Sequence, residues 1–336
     1  ISGFLFTTTA GGQLIPLHGN SVSVKPPLAK LPHISPDMKI LHSCNGLLLC
    51  GDTWLSNWNV VLSLYLYNPT LGWHIQIPSS EGMRRDLLYD ILNEHYWNLA
   101  FDPLESSSYK IIDFSRPKFE SSCYRYSIEI YSSETGLWKL VNNDILSGDD
   151  LKLSINFYRG VLLNGIIYWP SFGRRTTLCF DVAKESIKSI PMPPNGIWPY
   201  CNSFFVESGG HLYHVVHQES QCFVHEMEDS CSGWLLKYSV DMDAVLGACP
   251  SMVRERAGSD KCPYLVLSFI PRVDQKDELV FYIAGCAMYY DINQVSCRKI
   301  CDLNDSCFDC YITRRYIGID VHKHIEGLIT LPGCRV

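Results

Sequence analysis

Residue types able to do chemistry gather at a few places in this 336-residue chain. His211, His214 and His217 recur at every third position. Three imidazoles could hold a transition metal, but side chains alternate along a strand. His211 and His217 would then share one face and His214 would take the other, so the three cannot converge. Cys297, Cys301, Cys307 and Cys310 include one C-x2-C pair. Zinc would require the first two, on one strand face, to meet the last two across a link at a spacing longer than a zinc knuckle uses; buried thiols are the simpler reading. His322 and His324 have no evident Ser or Cys nucleophile partner, and Asp149-Asp150 lie in a polar link where carboxylates are solvated. Phosphate-cradling glycine loops and the G-x-S-x-G elbow are absent from the sequence. These residues predict no catalytic group, no metal site and no cofactor.

What must position the remaining side chains is a repeated phrase. An apolar run ends in an aromatic or large apolar residue, a small polar cluster follows, and an aromatic or apolar residue comes six or seven positions on. Leu66-Tyr67-Asn68-Pro69 leads to Trp73, Ile130-Tyr131-Ser132-Ser133 to Trp138, Cys179-Phe180-Asp181 to Ile187, Glu226-Met227-Glu228-Asp229 to Trp234, and Tyr289-Tyr290-Asp291 to Cys297. Recurrence every 47 to 64 residues predicts repeated supersecondary units. Each unit parses as two hairpins. Asn45-Gly46, Asn164-Gly165 and Gly209-Gly210 supply first turns, since these residues tolerate positive φ. In the first unit the strands are Lys39 to Cys44, Leu47 to Cys50, Val61 to Tyr67 and Trp73 to Ile77.

Five such units, plus strand-like segments at Gly3 to Thr8, Tyr311 to Asp320 and Ile325 to Leu331, predict an all-β fold. It is a single β-propeller of four-stranded blades, six with seven as the alternative, closed by N- and C-terminal strands and spanning residues 1–336 as one domain. Closure removes exposed sheet edges. Met83 to Leu92 and Leu151 to Phe157 read as short connecting helices. Trp73, Trp138 and Trp234, each opening an outermost strand, read as structural wedges between blades.

Bulk properties agree. Hydrophobic residues make up 46% and charged ones 19%, enough for a large core. A net charge of -7 argues against a generic nucleic-acid surface. The absence of a long apolar run argues against a membrane span. Fifteen cysteines at irregular spacing read as reduced, mostly buried thiols of an intracellular protein. The chain opens on Ile1 already in strand-like sequence, so an upstream segment is expected.

These residues resemble a known family. His42-Ser43-Cys44-Asn45-Gly46-Leu47-Leu48-Leu49-Cys50 followed by Leu66-Tyr67-Asn68-Pro69-Thr70 is similar to the opening of the plant F-box-associated domain. Leu99-Ala100-Phe101-Asp102-Pro103 with Tyr109-Lys110-Ile111-Ile112, Ile128-Glu129-Ile130-Tyr131-Ser132 with Trp138-Lys139, and Val161-Leu162-Leu163-Asn164-Gly165 with Tyr168-Trp169 follow in the family's order. So do Cys179-Phe180-Asp181 with Ile190-Pro191-Met192-Pro193, and Glu326-Gly327-Leu328-Ile329 near the end. The resemblance covers nearly the whole chain, except for a poor match over Cys222 to Pro263. It implies a kelch-like propeller that is the non-catalytic, substrate-recognition part of an F-box protein, binding a target protein for ubiquitination by a cullin-RING ligase. The ligase adaptor would bind only through an F-box upstream of residue 1. Cytoplasmic or nuclear localisation follows from that role. A glycan-binding propeller and a stand-alone interaction domain are the alternatives; a propeller enzyme such as a glycosidase or copper oxidase would need convergent carboxylates or His/Tyr ligands.

Antiparallel order places the links between strands one and two, and three and four, on one rim. The links from strand two to three and from unit to unit lie on the other and are read as longer. Long loops on a rigid frame carry recognition, and Trp, Tyr and Arg most often anchor interfaces. The candidate contacts are Trp54, Trp58, Arg84, Arg85, Trp97, Arg174, Arg175, Trp198, Tyr200, Arg254 and Arg256.

Overall fold

A computed structural model describes residues 3–8, 11–16, 38–56, 59–79, 93–117, 127–141, 155–171, 173–193, 202–229, 231–247, 264–271, 277–283, 286–302, 320–324 and 331. Strands β1 (Gly3–Thr8) and β2 (Gly11–Pro16) form a hairpin. Blade one is β3 (Lys39–Cys44), β4 (Leu47–Ser56), β5 (Asn59–Asn68) and β6 (Trp73–Ile77). Blade two is β7 (Asn93–Phe101), β8 (Tyr109–Pro117), β9 (Ser127–Ser132) and β10 (Leu137–Val141). Blade three is β11 (Val161–Leu163), β12 (Ile166–Tyr168), β13 (Thr176–Asp181) and β14 (Ser186–Pro191). Blade four is β15 (Asn202–Ser208), β16 (His211–Gln218), β17 (Gln221–Met227) and β18 (Trp234–Asp241). Blade five is β19 (Tyr264–Ile270), β20 (Glu278–Ile283), β21 (Cys286–Asp291) and β22 (Ser296–Asp302). The last strand, β23 (Asp320–His324), pairs with β1, giving a three-stranded sheet in the order β2-β1-β23.

The fold is thus an all-β propeller, and its blade count corrects the expectation. In place of six or seven four-stranded blades, the described residues form five, plus a three-stranded sheet uniting strands from both ends of the chain. The expected strand before Asp320 and the one from Ile325 lie outside the described residues, apart from Leu331.

Local chemistry explains the plan. Asn45 and Gly46 (φ 45° and 87°) and Asn164 and Gly165 (49° and 71°) turn with positive φ at both positions, as a two-residue hairpin with native twist requires. The polar cluster in the recurring phrase caps the turn between strands three and four. Asn68 Oδ1 accepts from the Thr70 and Leu71 amides at 2.9 and 3.1 Å, Asp181 Oδ1 from Lys184 at 2.9 Å, and Asp291 Oδ1 from Asn293 and Gln294 at 2.9 and 2.8 Å.

First strands are innermost: β3 lies beside β7, β11 beside β15, and β15 beside β19. The core runs along the seams between blades. Leu49, Leu66, Trp73, Leu99 and Ile111 pack between blades one and two; Ile112, Phe114, Phe157, Trp169 and Phe180 between two and three; Val215, Val224, Phe269, Leu279 and Phe281 between four and five. The wedge reading of the tryptophans fits this packing. Trp73 is 2% exposed. Trp138 Nε1 donates to Pro78 O at 2.6 Å, reaching the end of blade one, and Trp234 Nε1 to Pro191 O at 2.8 Å, reaching the end of blade three. Of the two expected helices, 83–92 lies outside the described residues. The described part of 151–157 is an extended bridge at Ile155, followed by a 3-10 turn at Phe157–Arg159. One short helix that periodicity did not reveal, α1 (Met242–Gly247), follows β18.

Candidate interaction surface

One rim carries tight turns, among them Asn45-Gly46, Asn164-Gly165 and Gly209-Gly210; the other carries all the links between blades. The expectation that every link from strand two to three is long needs correction. β4 and β5 run on as a ten-residue hairpin with only residues 57–58 between them, β16 meets β17 through Glu219-Ser220, and β20 meets β21 through 284–285. Mixed aromatic and polar residues such as Trp54-Leu55-Ser56 read as loop, yet cross-strand pairing extends through them. Length on this rim therefore resides in the blade-to-blade links and in two strand links, 118–126 and 169–175.

Beneath the rim, buried polar side chains tie the inner strands together. The Leu99 amide donates to His42 Nδ1 at 3.2 Å, so the ring proton sits on Nε2, which donates to Gly160 O at 2.8 Å. One neutral imidazole thus joins three blades. Asn98, fully buried, donates through Nδ2 to Tyr96 O (3.2 Å) and Phe157 O (3.3 Å) and accepts from Trp169 Nε1 (3.1 Å). A Cβ at Gly160 would meet Asn98 Oδ1 and approach Trp169 Nε1 to 2.8 Å, so the inner strand passes where only glycine fits. Asn45 Nδ2 and Cys44 Sγ both donate to Phe101 O, at 2.7 and 3.3 Å, which joins blades one and two at the tight-turn rim. The Ser-Cys-Asn-Gly phrase is in this way a blade-joining device as well as a turn.

Few of the sequence-predicted contacts can be placed. Trp54 belongs to β4, with its side chain not described. Trp58, Arg84, Arg85, Trp198, Tyr200, Arg254 and Arg256 lie outside the described residues. Trp97 was read as a loop residue; it lies instead within β7, 4% exposed, stacked on His95 with centroids 5.6 Å apart and edge-on to Trp138 at 6.1 Å. Both faces of an inner strand are covered, so its ring fills the core and presents no surface. Arg174 and Arg175 lie in the 169–175 link on the long-link rim, Arg174 half-buried and Arg175 exposed. The structure brings beside them a segment that sequence reading did not single out. Ile155 bridges Ser171, and the Asn156 amide donates to Pro170 O at 2.9 Å, setting the turn bearing Tyr158 and Arg159 against the arginine link.

The titratable groups do structural work. His211 faces Glu226 at 3.0 Å, and His217 Nε2 meets Tyr264 OH at 3.0 Å across the seam between blades four and five. His214 points to the opposite seam, as strand alternation requires, packed edge-on to Phe205 and across from His225. Burial, and then His225, push His214 down to about 3, so it is neutral. A couple not foreseen, His95 Nδ1 to Asp113 Oδ2 at 2.7 Å, orders the ring on which Trp97 stacks. Burial raises the Asp113 carboxyl against the pull of that hydrogen bond. Seven described cysteines are free thiols. Burial pushes Cys44, Cys50 and Cys222 up to about 12, which makes them poor nucleophiles. Cys297 donates to Val245 O at 3.8 Å; the Cys301 side chain, Cys307 and Cys310 lie outside the described set, as do Asp149, Asp150 and the side chains of His322 and His324. No group of three or more metal-ligating side chains converges among the described residues. No described helix is long and apolar enough to cross a membrane.

Comparison with known proteins fits this geometry. An F-box protein of Arabidopsis thaliana is 31% identical over 283 residues, covering 79% of this chain and 64% of that protein. The chain thus spans a little under two thirds of that relative's length. Among solved structures, a quinonprotein alcohol dehydrogenase-like protein of Bacteroides thetaiotaomicron aligns with a TM-score of 0.45 at 10% identity, over 90% of this chain and 76% of that one. An oligogalacturonate lyase solved with manganese aligns at 0.42 and 9% identity, over 89% and 83%. Residues 15–231 match the F-box associated beta propeller domain. With the five repeated blades and the match to the Arabidopsis protein, this places the chain in the F-box associated beta propeller family.

Proposed function

We propose that this chain is the target-recognition propeller of an F-box receptor and holds a protein for ubiquitin transfer by a cullin-RING ligase. Family membership is the observation that carries the reading. The propeller supports it: a rigid ring, cross-tied by His42 and Asn98, with its blade-to-blade links gathered on one rim. On this reading the propeller is non-catalytic, needs no cofactor, contacts neither nucleic acid nor membrane, and works in the cytoplasm or nucleus. The adaptor is engaged through an F-box elsewhere in the same protein.

The test uses the intact natural protein. Immunoprecipitation should recover the ligase adaptor and cullin, and proximity labelling should mark a protein whose abundance rises when the receptor is deleted. Recovery of neither adaptor nor stabilised target would refute the reading. Selective capture on a glycan array in their place would favour a carbohydrate-binding propeller.

A further inference from the structure

The five blades can be compared with one another. The recurring phrase ends on Trp73, Trp138, Ile187, Trp234 and Cys297, each at the start of an outermost strand. The next residue is His74, Lys139, Lys188 and Arg298 in blades one, two, three and five, but Leu235 in blade four. A basic side chain on an outer edge opposes the pairing of a further strand. Blade four instead presents Leu235 and Leu236, 59% and 55% exposed.

Strand β18 ends its sheet, and no strand pairs with its outer side among the described residues. Its one lysine does not guard the edge. At the bulge beside Val224 and His225, Lys237 folds over the Tyr213 ring at 5.1 Å, with Nζ 3.2 Å from Glu226 and 3.7 Å from Asp277. Both ends of the strand are held in place. Trp234 Nε1 bonds Pro191 O at one end, and at the other the Met242 amide donates to Ser220 O at 2.8 Å.

Charge is equally uneven. Residues 202–229 and 231–247 of blade four hold seven acids against Lys237 alone. Four of those acids bracket the edge: Glu228 and Asp229 precede β18 on one rim, and Asp241 and Asp243 close it on the other. Glu228 accepts from Ser232 Oγ at 3.0 Å and Asp241 from the Asp243 amide at 3.0 Å; none of the four has a cationic partner among the described residues. In blade five, Arg298 pairs with Glu278, and Lys299 lies on β22.

We propose that the outer edge of β18 takes an extended segment of the target protein as a fifth strand, β-branched and apolar along its middle and bearing Lys or Arg at both ends. This rests on the receptor reading above and names the chemistry by which the target is held. Main-chain hydrogen bonds along a free edge give such a segment its affinity, and its alternate side chains give selectivity. Leu235 and Leu236 point to opposite faces, so each face of the added strand meets a leucine. The bracketing carboxylates favour cations at the segment's ends and repel an acidic one.

The test is fluorescence anisotropy with the full chain and three labelled ten-residue peptides. One has a Val/Ile/Thr core with two lysines at each end, one the same core with two glutamates at each end, and one is the lysine-ended peptide with proline at its centre. The lysine-ended peptide is expected to bind, to weaken as salt rises, and to lose roughly tenfold or more in affinity with Leu235→Lys. The central proline removes a main-chain donor and should abolish binding; that comparison needs no variant, should circular dichroism show that Leu235→Lys does not fold. Leu104→Ser, at a leucine 95% exposed in the β7–β8 turn, should bind as wild type does. No binding of the lysine-ended peptide, equal binding of the glutamate-ended or proline-bearing one, or indifference to Leu235→Lys would overturn the proposal. So would a wild-type dimer in sedimentation that Leu235→Lys dissolves, which gives the edge to a second copy. If Leu235→Lys in the intact natural protein recovers the target found by proximity labelling as well as wild type does, the edge is refuted and the receptor reading stands. If wild type recovers neither target nor adaptor, the receptor reading fails, and the peptides judge the edge by itself.

Discussion

Replacing Asn98 by alanine should be among the most damaging single changes in the molecule. The side chain is fully buried and makes three hydrogen bonds, to Tyr96 O, Phe157 O and Trp169 Nε1. Its loss strands the buried indole N–H, at about 1–3 kcal/mol, and forfeits two bonds to carbonyls at about 0.5–1.5 kcal/mol each, so about 2–6 kcal/mol in all. Urea unfolding, followed by tryptophan fluorescence, reads this as a lower midpoint with an unchanged slope. A double-mutant cycle isolates the key bond. Trp169→Phe removes the donor, so Asn98→Ala made in that background should cost about 1–2 kcal/mol less than in wild type. A loss under about 1 kcal/mol for Asn98→Ala, or a strictly additive cycle, would refute the view that this amide clamps blade two to blade three. The same variant should loosen the rim, because two of its three partners, Phe157 and Trp169, lie in the segments that carry Tyr158 and Arg174.

His214 supplies a pH dependence. Its folded-state pKa is depressed to about 3 by burial and by His225, whereas the unfolded chain titrates near 6.5. Stability is therefore full above that value and falls as pH drops through the window, by about 2 kcal/mol between pH 7 and pH 5. Burial raises the Asp113 carboxyl, which works in the opposite sense, so the measurement is the difference between wild type and His214→Phe. The variant should flatten the slope of urea midpoint against pH, and an unchanged slope would count against the assignment. Trp234→Phe should cost about 1–2 kcal/mol, since it removes a partly buried bond to Pro191 O. Trp138→Phe should cost under about 1 kcal/mol, since water can replace its exposed bond to Pro78 O. Thermal melts of the two variants should differ in that order.

Strand placement was readable where alternation and turn chemistry coincide. Trp73–Ile77 and Leu137–Val141 have the boundaries read from sequence, each with a wedge tryptophan as its first or second residue after a turn. The β4–β5 hairpin was cut short because Thr53 to Asn59 lacks a clean apolar period, and pairing across the hairpin outweighs that local ambiguity. Trp97 was misread because an inner strand is buried on both sides, so Tyr96, Trp97 and Asn98 show no polar alternation. α1 is too short for a helical period to register. The clamp at Asn98 joins residues 71 apart and the His42 bridge joins residues 118 apart; neither leaves a local trace.

The three-stranded sheet has a consequence for biosynthesis. Every four-stranded blade is contiguous in the chain and can begin folding as it leaves the ribosome, but β1 must wait for β23, where Gly3 faces His324 and Thr7 faces Asp320. Until translation reaches those codons, the nascent propeller stays unlatched, with a free strand edge on β1 available to wrong partners. A premature stop a few codons before Asp320 would leave every blade intact and the ring permanently ajar.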